Sequence, residues 1–139
     1  MAFNQDANEF HWLMDMLESV EVGLGVLDLD FHVQAWNGFM EHHSGITASQ
    51  IRDKVLFEVF PDIPEAWLTR KVDAVAMLNT RAFTSWEQRP YLFKFRNTRP
   101  ITGTEEYTFQ NLTISPITAP NGEVEKVCLL VYDVTEFAS

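Results

Sequence analysis

Apolar side chains at Phe10, Leu13, Leu17 and Val20 are spaced by three, four and three, which draws one stripe along a helix predicted over residues 5–20. Such a stripe must bury against something. Val22, Leu24 and Val26 then alternate with Gly23 and Gly25, the pattern of a strand over 22–28 whose glycine face lets another element approach closely. Leu29-Asp30 turns the chain into a second strand, Phe31 to Trp36, so the pair is expected to form a hairpin. Asn37 suits the N-cap of a helix over 38–44, and Gly45 suits its left-handed terminator. Pro64 opens a longer helix that runs to about Asn79, with Leu68, Val72, Val75, Ala76 and Asn79 on one face.

Two more strands are predicted over roughly 82–95 and 106–117, joined by the polar tip Arg96 to Glu105. The turn Asn121-Gly122 feeds a last strand, Val127 to Tyr132. Five strands with helices inserted between the second and third give an α+β domain, an antiparallel sheet with helices on one face and an additional N-terminal amphipathic helix. In the last strand Val127, Leu129 and Val131 are apolar on one side and Cys128, Leu130 and Tyr132 on the other, so it is expected to be buried on both. The outer cover would be the N-terminal helix or a second copy; a central strand in a small core is the plainer alternative.

Composition narrows the partners. The 139 residues suffice for one domain. A net charge of −10, from 10 basic and 20 acidic residues, gives a field of the wrong sign for nucleic acid or anionic lipid. No basic segment precedes an apolar one at the N-terminus, and no stretch approaches the roughly 18 apolar residues that span a bilayer, so a cytoplasmic domain without membrane insertion is expected. Cys128 is the only cysteine, which excludes an intrachain disulfide and reads as a small core residue.

Three blocks carry a family resemblance: Trp36-Asn37 with Glu41 and Gly45, then Leu56-Phe57-Glu58-Val59-Phe60-Pro61, then the closing strand that ends on Asp133-Val134-Thr135-Glu136. In this order and at these distances they resemble a PAS sensor domain of the bacterial sensory-box type, over about residues 20–136. One departure is Asp53, where the family usually has glycine; Asp is among the few side chains that tolerate a positive φ. The resemblance implies a sensory and dimerisation domain, with residues 1–20 as a dimerisation helix, 21–136 as the sensor and 137–139 as the start of a linker. It also implies a homodimer through that helix and the outer sheet face. The output domain would lie outside this chain and be a GGDEF diguanylate cyclase, the preferred expectation, or a histidine kinase. Asp133 and Thr135 would bond the end of the sheet to the exiting linker and relay the signal.

By the same resemblance a small-molecule pocket would be lined by Trp36, Phe39, Met40, Phe57, Phe60, Trp67, Val72, Val75, Trp86, Arg89, Tyr91 and Phe93. The same aromatics could simply fill the core. Trp86 and Arg89 are where ligand specificity is expected: Arg89 faces the pocket as counter-ion to a carboxylate, or points to solvent beside a strand bulge at Pro90. The cofactor is left unassigned. Flavin-adduct photochemistry is disfavoured because the only cysteine lies on the last strand, and haem because residues 64–80 hold no histidine. His42 and His43 are adjacent on a helix, about 100° apart, so no metal site is expected and both are read as solvated. No catalytic motif is present. An isomerase- or dehydratase-like pocketed enzyme using Asp28 or Asp30 with His32 is one alternative, although both aspartates suit a hairpin turn. A ligand-free dimerisation adaptor is the other.

Overall fold

The computed structural model describes residues 21–96 and 107–138; the helix expected over 5–20 and most of the polar tip before residue 107 lie outside the described residues. Its five strands are β1 (Val22–Asp28), β2 (Val33–Trp36), β3 (Ala82–Thr84), β4 (Gln110–Thr118) and β5 (Val124–Asp133), paired antiparallel in the order β2-β1-β5-β4-β3. Four helices separate β2 from β3: α1 (Gly38–Ser44), α2 (Ala48–Ile51), α3 (Leu56–Val59) and α4 (Glu65–Leu78). The expected α+β architecture is present, with α2 and α3 as short turns that the sequence did not announce.

The core lies between the sheet and α4. Leu68, Val72 and Val75 on α4 meet Leu112 and Ile114 of β4 and Val127, Leu129 and Val131 of β5, all buried in one apolar cluster. Gly23 pairs with Val131 and Gly25 with Leu129, so the glycines of β1 face the helices. A Cβ on Gly23 would stand 2.6 Å from Met40 Sδ of α1, and one on Gly25 would stand 3.3 Å from the Trp36 ring. The missing side chains are therefore what lets α1 and Trp36 close over the sheet.

Val22, Leu24 and Val26 fall on the opposite face, beside Tyr132, Leu130 and Cys128. The three β5 residues there are half-buried within the described chain, and the N-terminal helix expected to help cover them lies outside the described residues. Cys128 accordingly lies outside the core cluster, and burial pushes its thiol up to about 11.

Three strands are shorter than predicted; β4 begins at Gln110 in place of residue 106, and the other two have identifiable reasons. Phe31 has φ of 69°, a left-handed conformation that a bulky residue adopts only when its surroundings dictate it. Its ring is buried against Phe57 and its carbonyl accepts the Leu56 N–H at 2.9 Å, so β2 begins two residues later, at Val33. Past Thr84 the chain turns: the N–H groups of Gln88 and Arg89 both bond the Ser85 carbonyl, at 3.0 and 3.1 Å. Pro90, which cannot donate to a ladder, follows. Residues 90–95 therefore run as irregular chain, correcting the strand predicted to residue 95.

Gln110 supplies what that ladder lacks. Its Oε1 accepts the Leu92 and Phe93 N–H groups at 3.0 and 3.2 Å, and its Nε2 donates to the Phe93 carbonyl at 2.9 Å and to Thr108 Oγ1 at 3.1 Å. The side chain is buried and fully used, three of its four bonds joining the irregular chain beside the backbone bonds that Gln110 and Thr108 make to the Pro90 and Phe95 carbonyls.

Local geometry bears out several single-residue expectations. Gly45 and Asp53 have φ of 74° and 64°. Asn37 does more than cap α1. Its Oδ1 accepts the Met40 N–H at 3.2 Å and the Leu24 N–H at 3.0 Å, and its Nδ2 donates to the Val22 carbonyl at 2.8 Å. The residue is 1 % exposed and so joins α1 to the first residues of β1 inside the protein. Removing an exposed cap costs about 1 kcal/mol, but Asn37→Ala also strands two backbone groups of β1, the buried Leu24 N–H and the part-buried Val22 carbonyl. We expect a loss of about 2–3 kcal/mol with an unchanged m-value in urea unfolding. A loss of no more than about 1 kcal/mol would mean that only the cap matters.

Candidate ligand site

The aromatic residues singled out in the sequence come together largely with one another. Trp36 lies 5.8 Å from both the Phe60 and Phe93 ring centres, Phe60 and Phe93 are 5.2 Å apart, and Phe93 stacks on Phe95 at 5.1 Å. Trp36 Nε1 donates to the Ile46 carbonyl at 3.2 Å, satisfying the one polar atom of the ring. Trp36, Phe93 and Phe95, with Met40, Val72 and Val75, belong to the apolar core, against which Phe39, Phe57 and Phe60 pack half-buried.

Several concavities adjoin this core among the described residues; one of about 380 Å³, beside Ile46, Gln50, Lys54 and Val59, holds none of the expected set. A groove of about 470 Å³ runs outside β2, between Gln34 and Trp36 on one wall and Ala48, Ser49 and Arg52 on the other. It holds only Trp36 of the expected set. A cleft of about 190 Å³ opens between residues 59–63 and 92–95, with His43 at its wall and Phe60 and Phe93 at its floor. A notch of about 10 Å³, room for about one water, lies where Trp67, Arg89 and Tyr91 meet Thr84 and Gln110.

Trp86 and Arg89 part company. The Trp86 ring packs on Phe109 at 5.4 Å and its N–H bonds Asn111 Oδ1 at 2.9 Å, whereas Arg89 stacks its guanidinium 4.5 Å from the centre of the Trp67 ring. Asn111 and Gln110 are consecutive on β4 and so point to opposite faces. The tight turn at residues 85–89 sends the two side chains in different directions.

His43 was read as solvated and is half-buried instead, its ring 4.2 Å from Phe39 and 5.7 Å from Phe95. Burial holds its pKa below the ordinary value of 6.5, helped by the neighbouring His42 and opposed by Asp133 and Glu21. Phe39 lies one helical turn before His43, but the second ring that covers it, Phe95, comes from far along the chain.

The end of β5 is locked. Asp133 Oδ1 accepts the Thr135 hydroxyl at 2.6 Å and its N–H at 3.0 Å; Thr135 Oγ1 accepts the Phe109 N–H at 3.0 Å, and the Val134 N–H bonds the Phe109 carbonyl at 2.9 Å. The turn Thr135–Phe137 is thereby pinned to the start of β4. At the far end, Asp28 and His32 do meet, with His32 Nδ1 at 3.0 Å from Asp28 Oδ2. Asp28 Oδ1 also accepts the Asp30 and His32 N–H groups, at 3.0 and 2.8 Å, which is turn chemistry at a partly exposed site. No cluster of three metal-ligating side chains occurs among the described residues, and no described helix is long and apolar enough to cross a membrane.

The family model for the PAS fold matches residues 17–139, and the chain belongs to the PAS family. A sensory box sensor histidine kinase from Vibrio cholerae is 29% identical, with a TM-score of 0.67 over 97% of this chain and 99% of that one. The PAS domain of a protein from Colwellia psychrerythraea is 15% identical with a TM-score of 0.62, over 98% of this chain and 99% of that one. The PAS domain of nitrogen regulation protein NR(II) from Vibrio parahaemolyticus is 15% identical with a TM-score of 0.60, over 87% of this chain and 96% of that one. These two likenesses concern the fold. A search of curated proteins returned no match. Membership of this family makes the domain a sensory one.

Because the folded state disfavours protonated His43, the unfolded state takes up that proton first as pH falls below 6.5. Stability is therefore expected to drop through the window from 6.5 down to the lowered folded value and to level off beneath it. The measurement is the melting temperature against pH for the wild type and His43→Gln. The slope in that window should be shallower in the variant; equal slopes would assign the pH dependence to other groups.

Proposed function

We propose that this domain binds a small molecule on the helix side of the sheet, dimerises, and relays occupancy to an output domain through the Asp133–Thr135 lock. The observation that carries this reading is the 29% identity and near-complete overlap with the sensory box domain of a histidine kinase, joined to a chain exit bonded to β4. That relative favours a histidine kinase output over the diguanylate cyclase expected from sequence.

Ligand entry is read at the segment 90–95. It is held at its two ends by single backbone bonds, Gln110 N–H to the Pro90 carbonyl at 2.8 Å and Thr108 N–H to the Phe95 carbonyl at 2.9 Å, and between them by the Gln110 side chain, and it borders both the 190 Å³ cleft and the notch at Arg89. The core beneath is packed by Phe93 and Val75, so the ligand would occupy the cleft and shift this segment.

Dimerisation is read on the outer face. Leu130 and Tyr132 of β5 and Val22 and Val26 of β1 form a half-exposed apolar strip there, flanked by Thr113 and Ser115. Such a strip is larger than scattered surface apolar residues require. Residues 1–20, with their apolar stripe, are the second contributor to that interface.

A folded-state ligand stabilises by RT ln(1 + [L]/Kd), about 2.7 kcal/mol at a hundredfold excess over Kd. We expect a thermal-shift screen of apolar acids, amides and indoles to give at least one binder that raises the melting temperature by several degrees and is recovered chemically unchanged. A product formed from a binder would instead support the enzyme alternative, and no binder at all the adaptor. For the dimer, Leu130→Glu is expected to move the sedimentation coefficient towards the monomer value while the circular dichroism stays folded. A sedimentation profile that keeps the wild-type concentration dependence would remove the outer face from the interface.

A further inference from the structure

Arg89 identifies the chemistry of the ligand, an inference that rests on the sensory reading above. Its Nε is shielded from solvent and has no hydrogen-bond partner. Its guanidinium carbon lies 4.5 Å from the Trp67 ring centre, and the Lys71 ammonium lies 5.7 Å from the centre of the same ring. Two cations thus share one indole, and neither forms an ion pair with a carboxylate among the described residues. In a chain with 20 acidic residues and 10 basic ones, acidic partners are not scarce.

An enclosed donor without an acceptor is costly, and the cost rises when the donor is charged. The notch beside Arg89 is lined by Thr84, Tyr91 and Gln110. Gln110 cannot help, since its Oε1 is already committed to the Leu92 and Phe93 N–H groups. The group missing from this corner is a small acceptor, and negative charge would also relieve the repulsion between Arg89 and Lys71.

We propose that the notch receives one oxygen of a small monocarboxylate, bonded to Nε of Arg89, while the second oxygen bonds one terminal nitrogen of the same guanidinium side-on. The hydrocarbon part of the acid lies outward along Tyr91 and Leu92, which border the notch. A planar carboxylate matches the planar guanidinium fork. Phosphate fits less well, because it is tetrahedral and matches the planar fork less closely. The net charge of −10 repels any anion at long range, so attraction must come from this local pair of cations.

The test is a titration of the ¹⁵N-labelled domain followed through the Arg89 Nε–Hε cross-peak, assigned by its loss in Arg89→Lys. Sodium phenylacetate and butyrate are the probes, with phenylacetamide, butyramide and inorganic phosphate as comparators at constant ionic strength. The expected result is a saturable downfield shift with the acids and none with the amides. Thermal stabilisation by phenylacetate should vanish in Arg89→Gln and weaken at least about tenfold in apparent affinity in Arg89→Lys, which keeps the charge and loses the fork. If Arg89→Gln does not fold, the Arg89→Lys comparison decides alone. Equal shifts with acid and amide, stronger binding of phosphate, or no saturable shift would each overturn the carboxylate site. A neutral binder whose stabilisation survives in Arg89→Lys would leave the sensory reading intact while removing this one; the absence of any binder would remove both.

Discussion

Buried backbone N–H and C=O groups must find partners, and at one end of this sheet the strands stop where no neighbouring strand can supply them. Three side chains do so. Asn37 bonds the first residues of β1, Gln110 bonds the irregular chain at Leu92 and Phe93, and Thr135 bonds the Phe109 N–H just before β4. All act at the end where β1 and β4 begin and β2 and β5 finish. The start of the described chain, the start of α1, the segment bordering the cleft and the chain exit therefore meet in one polar seam above an apolar core.

Such a seam has a mechanical consequence. A ladder of β-pairing is cooperative and breaks along its length, whereas a bond from one amide can exchange while its neighbours hold. Residues 90–95 are held by the Gln110 side chain between two single backbone bonds, Gln110 N–H to Pro90 and Thr108 N–H to Phe95, and Gln110 and Thr108 flank Phe109, which is bonded to the exit on both its N–H and its carbonyl. Displacement of the segment by a ligand would be felt within two residues of the exit lock. The proposed relay thus needs no long path through the core beneath, whose fully buried residues, Leu68, Leu129 and Val75 among them, resist small shifts.

The sequence was most legible where local chemistry decides the outcome. Asn37 and Gly45 bound α1, Asp53 takes a positive φ, and the apolar face of α4 meets the sheet, each readable from a residue type and its spacing. It was least legible where distant contacts decide. Alternation over 82–95 suggested one long strand, yet Ser85, Pro90 and the Gln110 amide convert most of it into a turn and a tethered loop. Phe31 belonged to a strand by propensity but is forced left-handed by burial against Phe57 and the bond to Leu56. The site divides in the same way. Trp67, Arg89 and Tyr91 were anticipated and do line the notch, but Gln110 and His43 were missed because only the fold brings them to residues 92–95.

Native-state hydrogen exchange in a Gln110→Leu variant tests the seam most directly. The account predicts faster exchange at the Leu92 and Phe93 amides, which lose their acceptor, and also at Phe109 and Val134, while the β1–β5 ladder amides at Gly25 and Leu129 keep their protection. Faster exchange confined to Leu92 and Phe93, with Phe109 and Val134 unchanged, would contradict it: the cleft segment and the chain exit would then be neighbours without coupling.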